Sequence, residues 1–184
     1  MRMAVSVIKD QKYDDLDGGE ENNKGYISLV HGERPSYKIF QSGIDEVKQV
    51  LHYLDICETE GIHAKDICIA SKTRAMYKDV QDELHRKGVK YCEVKNGDRK
   101  GDKDGLSFST FHSLKGLEFR VVILIGVTER SMPSVVSSNY PFMEMDAAEQ
   151  KEYLANIRSL LYVAITRARQ IVFITGYGEK TRLL

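Results

Sequence analysis

The chain has 184 residues, 42% hydrophobic and 29% charged, with a formal net charge of zero. These values suit one soluble globular domain with a substantial core, and no global field draws it to nucleic acid, so any DNA contact must be local. The longest apolar run, Val121–Val127, is far too short to span a bilayer and no signal-peptide pattern opens the chain, which points to the cytoplasm and to no membrane partner.

Residues 1–24 divide into a mildly apolar start and a run of Asp, Glu, Gly and Asn from Lys9 to Lys24 that has little to bury. They are expected to form a poorly ordered lead-in, with one domain over residues 25–184. Tyr26–His31 and Tyr37–Gln41 are predicted strands separated by a Gly-Glu-Arg-Pro turn. Ile44, Val47, Leu51, Leu54 and Ile56 fall near helical spacing and predict a helix from Ile44 to Thr59. A buried strand follows at Ile67–Ala70, then a helix at Arg74–Lys87 that Gly88 ends, then a strand at Val89–Val94. Lys95–Gly105 is expected to be only a connection, leading into strand Leu106–Thr110. Arg120–Ile125 is apolar at consecutive positions, as in a strand covered on both faces. Residues 128–145 are expected to be irregular, followed by a long helix at Asp146–Thr166 and a closing strand at Ile171–Thr175. Strands and helices alternating at these lengths predict an α/β layer fold with a mainly parallel sheet.

The three cysteines, Cys57, Cys68 and Cys92, contain no C-x-x-C spacing. They are expected to be buried free thiols of a reducing compartment, and no metal site is predicted. Nor is there a G-x-x-x-x-G-K-[ST] phosphate loop. The loop after Leu106–Thr110 carries Thr110, His112, Lys115, Gly116 and Glu118, beyond a strand end where open α/β sheets bind ligands. Glu118 could accept from ribose hydroxyls, Gly116 permits close backbone approach, and Thr110 and His112 could donate to a nucleic-acid phosphate. As residue types alone, these also suit a solvated loop. Arg167 carries a donor fork suited to phosphate, and it equally suits the negative end of the helix that precedes it.

Two runs resemble motifs V and VI of superfamily 1A helicases of the UvrD/Rep/PcrA type. They are Thr110-Phe-His-Ser-Leu-Lys-Gly-Leu-Glu-Phe119 and Leu160-Leu-Tyr-Val-Ala-Ile-Thr-Arg-Ala168, in that family's order and each followed by a strand. The resemblance implies a RecA-like three-layer domain, the C-terminal one of such an enzyme, lacking its own Walker A loop. It implies Arg167 as the catalytic arginine on the ATP γ-phosphate, Glu118 and Gly116 at the ribose, and Thr110 and His112 toward single-stranded DNA. Motif IV of the family carries an arginine after its strand. The matching run, Ile67-Cys-Ile-Ala-Ser-Lys-Thr-Arg74, has Lys72 there, so Lys72 and Arg74 together are assigned to the triphosphate. Only Glu93–Gly105 is available where large relatives insert an accessory subdomain.

The resemblance thus implies an ATP-dependent DNA helicase or translocase. Its ATP with Mg2+ would be bound jointly with an N-terminal RecA-like domain outside this chain, so the chain alone is expected to be inactive. Two other readings stay open. One is a HelD-like ATPase domain acting on RNA polymerase, with a nuclease subunit as a related partner. The other is a catalytically retired interaction module.

Overall fold

A computed structural model describes residues 35–95, 97–132 and 142–184, together with a two-residue antiparallel pairing of Tyr13–Asp14 with Glu20–Glu21. The strand expected at Tyr26–His31 and the remainder of the expected lead-in, residues 1–24, lie outside the described residues. In chain order the elements are β1 Ser36–Phe40, α1 Gly43–Thr59, β2 Ile67–Ser71, α2 Arg74–Arg86, β3 Tyr91–Lys95, β4 Asp98–Gly101, β5 Leu106–Thr110, β6 Phe119–Leu124, α3 Ala147–Thr166 and β7 Ala168–Tyr177. Seven strands form one sheet in the order β1-β7-β6-β2-β5-β3-β4. Every pairing is parallel except β3 with β4. The mainly parallel α/β sheet is therefore as expected.

Strand β4 is the element that the sequence reading missed. Asp98-Arg-Lys-Gly101 has no apolar alternation, so nothing in its pattern marks a strand. It is held instead by antiparallel pairing to β3 and by Arg99, whose guanidinium donates to the Gly105 carbonyl at 3.0 Å and to Cys92 Sγ at 3.3 Å. A charged, short strand at a sheet edge also discourages pairing with other chains.

The consecutive apolar residues of β6 are explained by helices on both faces. Val122 and Leu124 pack with Ile157, Leu161, Ala164 and Ile165 of α3. Val121 and Ile123 pack with Val50 and Tyr53 of α1 and with Tyr77, Val80 and Leu84 of α2. The sheet thus separates an α1/α2 layer from an α3 layer. Tyr53 stacks on Phe173 of β7 with ring centroids 3.8 Å apart, fixing α1 over the sheet. All three cysteines are free and buried.

The helix ends follow their sequence signals. Ser42 caps α1 by accepting from Asp45 N at 3.2 Å, and Asp146 with Glu149 forms a capping box on α3. Gly88 takes φ +70° after α2, while Val89 N donates to Leu84 O at 2.9 Å and Gly88 N to His85 O at 3.0 Å. Gly176 near the end of β7 has a different reason to be glycine. A Cβ there would lie 2.5 Å from Thr128 Cγ2 and 2.6 Å from Val127 O. Gly176→Ala should cost about 1–3 kcal/mol through this forced backbone shift. Urea unfolding of the variant checks it, and unchanged stability would mean the 126–128 loop yields freely.

Candidate functional site

The loop after β5 is shaped by a short 3₁₀ turn, Phe111–Leu114. In such a turn residues three apart share a face. Phe111 and Leu114 are accordingly both buried against the α3 layer, whereas His112 between them is exposed. Thr110 Oγ1 lies 3.0 Å from Ser113 Oγ, which ties the strand end to the turn. Gly116 follows with φ +83° and open space around its Cβ position, so its requirement is conformational and not steric. Leu117 packs half-buried on the α3 cluster and leaves Glu118 exposed.

Glu118 and Arg167 come together through the backbone. Phe119 pairs with Ala168 in the β6–β7 register, and Phe119 N donates to Arg167 O at 2.9 Å. Each residue therefore immediately precedes its strand, at the amino edge of the sheet. The Arg167 side chain is half-buried and turns back on its own helix: Nε donates to Val163 O at 3.1 Å and a terminal nitrogen to Thr166 Oγ1 at 3.2 Å. The guanidinium thus satisfies α3's last turn, as a cation at a helix C-terminus does.

Thr110, His112, Lys72 and Arg74 occupy the other edge. Thr110 is level with Ser71, four residues beyond Ile67, and Ile67 is level with Val121, two residues after Phe119. At the rise of a strand this separates Thr110 from Phe119 by about 20 Å. Lys72 Nζ donates to Ser131 O at 3.0 Å and to Tyr153 OH at 3.4 Å, and lies 5.9 Å from the Tyr153 ring centre. Tyr153 stands near the start of α3 and Arg167 at its end, roughly 20 Å apart along the helix axis. The structure does not bring Lys72 and Arg74 together with Glu118 and Arg167. Sequence order could not show this, because all four follow or precede strands in the same α/β pattern. Arg74 itself is exposed at the start of α2.

A buried carboxylate escaped the sequence reading altogether. Glu46 in the first turn of α1 is buried, and its Oε1 accepts from Gly126 N and from Thr175 Oγ1, both at 2.8 Å. An acid in a helix's first turn ordinarily signals only the helix dipole, so nothing marked its burial. Burial pushes its pKa above the usual glutamate value, and the two hydrogen bonds oppose that rise. It pins α1 to the carboxyl ends of β6 and β7, beside the 126–128 loop.

The mainly parallel sheet between two helix layers is a fold that this chain shares with a solved helicase C-terminal domain. A crystal structure of the C-terminal domain of a possible DNA helicase from Lactobacillus plantarum WCFS1 superposes with a TM-score of 0.60 over 83% of this chain and 79% of that one, at 21% identity. Residues 93–179 match the model of the UvrD-like helicase C-terminal domain family. The ATP-dependent DNA helicase PcrA of Bacillus subtilis is 40% identical over 81 residues, 44% of this chain and 10% of that protein. A Mycoplasma pneumoniae protein named Probable DNA helicase is 38% identical over 168 residues, 86% of this chain and 29% of its own length. The chain thus spans less than a third of these relatives. No helix among the described residues is long and apolar enough to cross a membrane.

Proposed function

We propose that this chain is the second motor domain of an ATP-dependent DNA helicase or translocase, supplying one side of an ATP cleft and part of a single-stranded DNA track. The observation carrying this reading is the Phe119 N to Arg167 O bond, which sets a carboxylate and a guanidinium on one sheet edge. A companion RecA-like domain would hold ATP by its triphosphate, with Mg2+ entering bound to those phosphates. Closure would bring Glu118 to the ribose hydroxyls, with Gly116 giving the loop its approach, and Arg167 to the γ-phosphate. Charge-assisted bonds to phosphate would replace the weaker bonds that Arg167 makes to its own helix end. With no phosphate loop of its own, the chain by itself would remain inactive.

The carboxyl edge carries the DNA side of the proposal. Thr110 and His112 would donate to phosphates of a single strand, and Lys72 and Arg74 add positive charge on the same edge. Their separation from Arg167 favours that placement over the triphosphate role implied by motif IV. Cleft closure and strand grip would then act at opposite ends of one sheet and of α3. The single sheet with both helix layers also supports reading residues 25–184 as one domain without a large inserted subdomain.

Glu118 provides a test that separates sugar recognition from a structural part. In the full-length protein, wild type should prefer ATP to its 2′- and 3′-deoxyribose analogues, and Glu118→Ala should erase that preference. Losing hydrogen bonds to a charged acceptor is worth about ten- to a hundredfold in kcat/KM for ATP. Equal discrimination in the variant would remove Glu118 from the ribose.

A further inference from the structure

We infer that the groove between α1 and α2 is a docking site for a basic amphipathic helix of a separate protein. Two hollows of about 450 and 440 Å³ lie in this groove and share Leu51 as a wall. Ile44, Val47, Leu51 and Leu54 recur along α1 at three- and four-residue steps and line it. Val47, Leu51 and Leu54 are half-buried at the margin of the α1/α2 core, beside the fully buried face of α1 formed by Val50, Tyr53 and Cys57. Ile44 is 69% exposed at the groove's mouth. From Ile44 to Glu58 the wall runs roughly 20 Å, about four helical turns, long enough for a helix to lay apolar side chains into both hollows.

Charge identifies the occupant. Asp55, Glu58 and Asp79 line the hollows and make no ion pair among the described residues. By contrast, the lining cations Lys48 and Arg86 are already matched by Asp45 and Glu83, which leaves Lys87 as the unmatched lining lysine against these three acids. The unmatched charge around the apolar floor is thus mainly acidic and complements lysines or arginines flanking an apolar stripe. A second copy of the chain would place the same acids face to face, which opposes self-association through this surface. The groove also lies across the sheet from α3 and Arg167. A bound helix would therefore leave the proposed cleft free to open and close, so this site does not depend on the motor reading.

The test uses the 184-residue chain and a synthetic peptide helix with leucines at i, i+3, i+7 and i+10 and lysines elsewhere. Fluorescence anisotropy should show saturable one-to-one binding, and a peptide of scrambled order should bind poorly. Ile44→Glu should weaken binding about tenfold, because it sets a charge where an apolar anchor docks. Circular dichroism should show that this exposed-site variant stays folded. The triple variant Asp55→Lys/Glu58→Lys/Asp79→Lys should reject the lysine peptide and accept its glutamate counterpart. Absence of saturable binding, or equal binding by the scrambled peptide or by both variants, would overturn the proposal. So would sedimentation showing self-association that Ile44→Glu abolishes, since a second copy would then be the occupant.

Discussion

Replacing Arg167 with alanine in the full-length protein should lower DNA-stimulated ATP turnover by about a thousandfold or more while changing the KM for ATP little. An arginine delivered across a domain interface to a transferring phosphoryl group stabilises charge that is greatest in the transition state, and such groups contribute ~10³–10⁵ in rate. The alternative is that Arg167 only closes the end of α3 through Val163 O and Thr166 Oγ1. In that case its loss would cost about 1 kcal/mol of stability and leave turnover per folded molecule unchanged. Arg167→Lys sharpens the contrast. Lysine keeps the charge at the helix end but not the planar fork, so stability should be nearly restored while most of the turnover stays lost. Single-turnover ATP hydrolysis measured beside urea unfolding separates the two roles, and wild-type turnover in either variant would exclude the catalytic one.

What the sequence made legible here follows from which signals are local. Helix α2 ended where Gly88 required it, and β6 lay between two helix layers as its unbroken apolar run implied. Both features are written in residue type and period. The β4 edge was not, because its pairing depends on β3 and on Arg99 and not on any pattern within Asp98–Gly101. The candidate site shows the same division. The resemblance to motifs V and VI grouped Gly116, Glu118 and Arg167, and the β6–β7 register places Glu118 and Arg167 beside each other at one sheet edge. Lys72 was assigned to the triphosphate through its place in the run matching motif IV, and the structure holds it by Ser131 and Tyr153 at the other edge. Which edge a loop occupies depends on strand direction and order, and these are global properties.

Glu46 carries the largest expected effect on folding. Glu46→Ala should destabilise the chain by roughly 2–4 kcal/mol, combining a lost acceptor with the space left behind. The Thr175 hydroxyl can turn to Leu124 O, 3.4 Å away, but Gly126 N–H loses its side-chain acceptor in a buried setting. Glu46→Gln keeps an oxygen for both donors and should stay within about 1 kcal/mol of wild type. The pair also has a pH signature. Burial raises the Glu46 pKa above its usual value of 4.5, so the folded chain holds this proton more tightly than the unfolded one. The stabilisation tied to the neutral carboxyl is therefore complete below pH 4.5 and is lost as pH rises through the folded pKa. Asp45, Glu93, Asp102 and Glu129 are shifted downward and contribute with the opposite slope, which would mask the effect in wild type alone. Subtracting the Glu46→Gln curve cancels them. The wild-type minus Glu46→Gln stability difference, from urea unfolding between acid and neutral pH, should fall as pH rises. A flat difference would mean that the carboxylate is as well solvated folded as unfolded, and that its two hydrogen bonds offset burial completely.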